Sequence, residues 1–203
     1  MKSTLLPILA LLALAGPACA AETQAAPDLS ALIECRAQIE DFLALAPTVH
    51  DPLKAVALGW KPLPQSNQFM TEFELIAPIR VFGHGTNRIA FSGEGIVAVL
   101  DLPDPRPLAH ELQLETAIDT PQKAMFGKEV HGVEITDPQS GKALYESAVL
   151  NVANVDSHPG KTLAGCSYAR DLMEDDMPED GTPEDGMPEQ PVEAAPAVAA
   201  PST

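Results

Sequence analysis

Two periods follow one another along this chain. Between residues 28 and 59 apolar positions recur at three- and four-residue steps, and from residue 67 onward they recur at every second residue. The first pattern predicts a helix over 29–46 with Asp28 as its cap and Leu32, Cys35, Ile39 and Phe42 as its buried stripe. A shorter helix follows, capped by Asp51, entered through Pro52 and ended at Gly59, with Leu53, Val56 and Ala57 spaced for burial. Trp60, the only tryptophan, is expected to cover one edge of the core, and residues 61–64 read as a stiff extended link.

The second pattern predicts strands. Phe69, Thr71, Phe73 and Leu75 alternate with Met70, Glu72 and Glu74, which gives one polar face. Extended structure resumes over 79–82 after Pro78, turns at 83–85, and returns over 89–91. Residues 92–95 are glycine-rich and read as a bulge, and 96–102 is almost continuously apolar, as a central strand should be. Beyond Pro103, Pro105 and Pro107, Leu112, Leu114, Thr116 and Ile118 alternate with Glu111, Gln113, Glu115 and Asp119. Pro121 marks a turn, and strands are predicted over 128–136, 143–155 and 163–169, with turns at 137–141 and 156–160. Short turns between strands imply antiparallel pairing. The expected fold is therefore α+β: two amino-terminal helices on one face of an antiparallel meander sheet of six to seven strands, a single domain over 28–170.

Both ends differ in kind. Met1 and Lys2 precede an apolar run from Leu5 to Ala15, and Ala18 and Ala20 are the small residues a signal peptidase reads. A signal peptide over 1–20 is expected, cleaved between Ala20 and Ala21, followed by a lead-in over 21–27. The run is too short to span a bilayer, which needs about 20 apolar residues. Lipidation of Cys19 would require a large apolar residue at the start of the preceding triplet, and that triplet is Gly16, Pro17 and Ala18. No transmembrane segment is expected, and the alanine, leucine and proline usage suggests a bacterial envelope protein. The tail over 171–203 holds ten acids, six prolines and no lysine or arginine, in degenerate five-residue repeats at 177, 182 and 187. That composition predicts disorder.

Charge removes whole classes of partner. The net charge is −17, and residues 21–170 alone carry 19 acids against 11 bases. Nucleic acid and anionic membrane surfaces would repel such a protein. In an oxidising compartment the two cysteines beyond the leader, Cys35 and Cys166, should join, closing a loop of about 130 residues and contributing roughly 4 to 5 kcal/mol through chain entropy.

Chemistry is sparse in the pattern. The histidines, His50, His84, His110, His131 and His158, are at least 21 residues apart, so none share metal-ligand spacing. His110 and Glu111 begin like a zinc-protease motif, but Leu114 stands where the second histidine belongs. Strand pairing would set His131 opposite residue 115, away from His110, and His84 and His158 fall in turns expected to be solvated. Nucleophile, phosphate-loop and dinucleotide motifs are absent, so no catalytic, cofactor-binding or metal residue is assigned and no cofactor is expected. Met173, Met177 and Met187 lie among carboxylates and raise copper or calcium handling by the tail, but Pro178 and Met187 stand where calcium ligands belong. The expected function is a non-catalytic binding or interaction module with a protein partner in the envelope. Phe82, Phe91, Phe126 and Tyr145 are candidate contacts, and a hydrolase with a dispersed site is the alternative.

Overall fold

A computed structural model of the protein describes residues 27–173. The cleavage site at Ala20 and Ala21, Cys19, and the tail beyond Met173 lie outside these residues. Eight strands form one antiparallel sheet: β1 (Trp60–Pro62), β2 (Thr71–Val81), β3 (His84–Ser92), β4 (Gly95–Leu100), β5 (Glu115–Asp119), β6 (Ala124–Thr136), β7 (Ala143–Ala153) and β8 (Thr162–Leu172). Four short helices, α1 (Leu29–Ile33), α2 (Ile39–Leu45), α3 (Pro52–Ala57) and α4 (Arg106–Glu111), lie on one face.

The α+β class holds, with more elements than expected. The link after Trp60 pairs with β2 as an eighth strand, Trp60 facing Leu75. The sheet is not a simple meander. Its order is β1-β2-β3-β4-β8-β7-β6-β5, two four-stranded meanders joined where β4 pairs with β8. After β4 the chain leaves through α4 to the far edge and returns strand by strand, a long-range choice that no local turn residue specifies. Gly165 permits the central seam: it pairs with Val97, and a Cβ there would stand 2.1 Å from the Ile96 carbonyl oxygen.

Helix ends account for the other differences. The predicted helix over 29–46 is two helices, followed by a 3₁₀ turn over Ala46–His50. Cys35 adopts a left-handed φ of 54°, the Arg36 N–H reaches back to the Ala31 carbonyl at 2.8 Å, and α1 stops. This is the αL helix terminus at which glycine is usual. The chain restarts at Gln38, whose N–H donates to the Asp41 carboxylate. The same device ends α4: Gln113 has φ 55° and the Leu114 N–H donates to the Ala109 carbonyl. Residues 106–111 are therefore helical, and the predicted strand begins only at Glu115. The turn expected at 83–85 is a two-residue hairpin at Phe82 and Gly83, both with positive φ, as the twist of paired strands favours. β8 continues through Leu172, two residues into the segment assigned to the tail.

The core lies between helices and sheet. Phe73, Ile89, Phe91, Ile96, Ala98, Leu100, Ala164 and Tyr168 alternate inward to meet Leu32, Ile33, Phe42 and Leu108. Trp60 packs with Phe73 and Phe91 at ring distances of 5.5 and 5.9 Å. Cys35 and Cys166 are joined, with Cα atoms 5.2 Å apart. Beside them Phe42 stacks on Tyr168, whose hydroxyl donates to the Leu32 carbonyl at 2.8 Å. Burial, with Asp41 nearby, pushes the Tyr168 phenol up to about 12. α3 departs from expectation: Ala55 is buried, whereas Leu53 and Val56 are 82% and 59% exposed. At the other end of the sheet, β6 from Lys128 to Glu134 is exposed residue after residue.

Two variants test this architecture. Cys35→Ser with Cys166→Ser should lower unfolding free energy by about 2–4 kcal/mol in urea titrations, matching the effect of reductant on the native protein. Gly165→Ala should cost about 3 kcal/mol, because the new methyl meets β4 backbone that cannot yield.

Candidate functional site

Residues that face inward on β2, β3, β4 and β8 alternate with a second set on the sheet's other face. There Met70, Ala90, Val99 and Leu163 form a small separate core, with Val97 and Val155 packed against it. The connections over 63–70 and 154–161 contribute Met70 and Val155 to that core, so this end of the face is covered.

Glu72 stands on this covered face, because Phe73 beside it turns to the main core. It is 2% exposed, so the polar face expected of this strand is under cover at this position. Its carboxylate accepts from Arg88 Nη2, from Ser66 Oγ at 2.9 Å and from His158 Nε2 at 3.0 Å. Burial raises the Glu72 pKa, and the bonds from Arg88, His158 and Ser66 more than offset it, leaving the value below the ordinary 4.5. His158, expected to be solvated in its turn, has a side chain only 2% exposed. Its Nδ1 lies 2.9 Å from Ser157 Oγ, and Asn67 Nδ2 donates to that same oxygen at 3.1 Å. The Asn67 side-chain Oδ1 accepts from the Phe69 N–H at 2.9 Å, which fixes the amide's orientation.

The direction of each bond follows. An ionised Glu72 can only accept, so His158 Nε2 carries the proton and donates. In the neutral ring Nδ1 then holds the lone pair, and Ser157 O–H donates to it. No nucleophile motif is visible along the chain because these groups join residues 86 and 90 positions apart. A signal was nonetheless present. The apolar run 96–100, unbroken until Asp101, implied cover on both faces of that strand, and an acid sharing its second face would then be buried. Arg88 links the network to a cleft of about 210 Å³, lined by Thr86, Asn87, Val99, Asp101 and Lys161.

A larger groove, about 990 Å³, opens on the outer side of the helical layer. Ala31, Ala37, Ala44, Leu45, Pro47 and Leu58 line it, with Arg36, Lys54, Asp28 and Asp41 also in its wall. The far side of α3 adds exposed Leu53 and Val56, and Ile76, 85% exposed, leans on Gly59 just past the helix.

The other predicted residues scatter. His50, His110 and His131 are exposed, and His84 is partly so on β3. His110 lies on α4, not on a strand, and His131 pairs with Ala148. The residue facing Glu115 is Gly127, because the turn closes at Thr120 and Lys123 and sets the register four residues tighter than expected. Among the described residues no three His, Cys, Asp or Glu side chains are grouped to hold a metal ion, and Met177 and Met187 lie outside them. Phe91 and Phe126 are buried in the core, Phe82 packs against it, and the Tyr145 hydroxyl donates to Glu129. No helix among the described residues is long and apolar enough to cross a membrane. Compared with protein-family models, curated proteins and solved structures, the chain matches none.

The buried network carries a pH signature with a defined sign. Because the folded Glu72 carboxyl titrates below its unfolded value, its contribution is complete above about pH 4.5 and is lost as pH falls through the lowered folded value. Glu72→Gln should flatten this acid limb in denaturation curves taken from neutral pH to about pH 3, and cost about 3 kcal/mol at neutral pH by leaving Arg88 unpaired.

Proposed function

We propose that this protein is an exported binding module of the periplasm or the cell exterior, which receives an apolar segment of a partner protein on its helical layer. The observation that carries the proposal is the groove bordered by α1, α2 and α3, together with Leu53 and Val56 exposed on that same α3. Its volume is that of a binding cleft and its wall is mostly small apolar side chains. Large side chains left in water on a short helix mark an interaction surface more readily than scattered single exposures do. Lys54 and Arg36 beside the groove, with Asp28 and Asp41 across it, offer both signs of charge at the rim. The disulfide fits an oxidising compartment. A net charge of −17 supports a protein partner over nucleic acid.

A photo-crosslinking residue placed at Leu53, and for comparison at exposed Glu134 on β6, tests the surface in cells. Adducts of defined mass should form from position 53 and not from position 134. Val56→Glu, added to the position-53 crosslinker, should abolish the adduct while shifting unfolding free energy by no more than about 0.5 kcal/mol, since that side chain already lies in water. Equal adducts from both positions, or none from position 53, would reject the helical layer as the docking face.

A further inference from the structure

We propose that Ser157 is a nucleophile toward short, uncharged carboxylic esters, with His158 as its base and Glu72 as the positioning group. The inference is independent of the groove, which lies on the opposite side of the sheet.

Four observations converge on Ser157. Its hydroxyl ends a directed chain, Ser157 Oγ to His158 Nδ1 and His158 Nε2 to Glu72, at 2.9 and 3.0 Å. Base and orienting acid lie within hydrogen-bond reach in series, which is the arrangement that activates a hydroxyl. The ring nitrogens are used in the opposite sense to the familiar serine–histidine–acid sites, but the roles depend on geometry and not on which nitrogen is which. Exposure grades along the chain: Glu72 and His158 side chains are 1% and 2% exposed, whereas Ser157 is partly open to solvent. The reactive end alone faces outward. Glu72 is itself held by Arg88 and Ser66, so the acid cannot swing away from the ring.

The third observation is Asn67. Its Nδ2 donates to Ser157 Oγ at 3.1 Å with its amide locked by the Phe69 N–H, a fixed neutral donor that holds the serine oxygen in place and leaves the hydroxyl proton to turn to His158. The fourth is Phe69, two residues beyond Asn67 and bonded to it through its N–H, whose 72% exposed ring puts an apolar side chain in solvent on the same loop as Asn67. The net charge of −17 repels anionic substrates, which sets aside esters carrying a negative charge.

The chemistry balances without a further reagent. As Oγ bonds to the ester carbonyl carbon, the hydroxyl proton passes to His158 Nδ1, and Glu72 offsets the imidazolium charge. Collapse breaks the bond to the alkoxy oxygen, which leaves as the alcohol carrying that proton. Water then adds to the acyl-serine by the same route, releasing the carboxylic acid and restoring Ser157.

The test uses a fluorophosphonate probe and p-nitrophenyl butyrate on the purified protein. Peptide mapping should place one probe adduct on Ser157, and Ser157→Ala should remove both the adduct and the p-nitrophenol burst. Glu72→Gln should slow labelling by at least about tenfold, with Glu72→Asp restoring part of the rate at equal folded fraction by circular dichroism. A merely structural role for Glu72 would not give this rescue of labelling. If the folded wild-type protein takes no probe at Ser157, or if adduct and burst survive Ser157→Ala, the proposal is wrong. Loss of thermal stability in Ser157→Ala with no labelling of the wild type would show that the chain of bonds only ties the two loops together.

Discussion

The left-handed turn at Cys35 is the constraint about which the helical layer is arranged. It ends α1, directs a sulfur at the central strand β8, and lets the chain restart as α2 at a new angle. Short helices of five to seven residues are marginal by themselves. Here they are held by anchorage: the disulfide, the Tyr168 hydroxyl on the Leu32 carbonyl, the stacking of Phe42 on Tyr168, and Arg170 of β8 reaching Glu40 at 2.9 Å. Glu34 adds a tie to the opposite half of the sheet by accepting from the Phe82 N–H at 2.7 Å. All of these contacts cross from the first 45 residues of the chain to parts of the sheet that come much later, four of the five to strand β8 and the fifth to the turn between β2 and β3.

The sheet's two faces obey different rules. Against the helices the strands present an ordinary apolar face, and burial there is a matter of area. On the other face two loops cover a small core and bring a carboxylate and an imidazole under cover with it, with a half-buried guanidinium at the edge. Charges removed from water must be paired and bonded to persist, and Glu72 accepts from three donors. Pairing of this kind fixes the position of the loops more sharply than apolar contact does.

Much of the fold was legible in the sequence, and the omissions share a cause. Alternation located seven of the eight strands, and the cysteine count gave the disulfide. Helix ends at Cys35 and Gln113 were not legible, since neither residue carries the glycine signal that usually marks a left-handed terminus. On α3, i,i+3 spacing pointed to burial of Leu53 and Val56, but a six-residue helix turns only one small side, Ala55, to the core. The β4–β8 seam was hidden for another reason: it joins residues about 70 apart, and only Gly165 marks where the backbones come close. Of the candidate site, His158 was seen and assigned to solvent, because its partner Glu72 lies 86 residues earlier and no local pattern links them.

The seam also orders events in time. Its two strands come from the middle and the carboxyl end of the folded segment, and the two cysteines, 131 residues apart, from its opposite ends. A chain delivered amino end first therefore exposes Cys35 as a lone thiol, and β4 as an unpaired apolar edge, until almost the whole domain has emerged. Contacts of such long sequence separation form slowly. The first meander must wait, partly assembled and open on one side, for β8 to arrive; oxidation of Cys35 with Cys166 then marks the completion of folding and not its beginning.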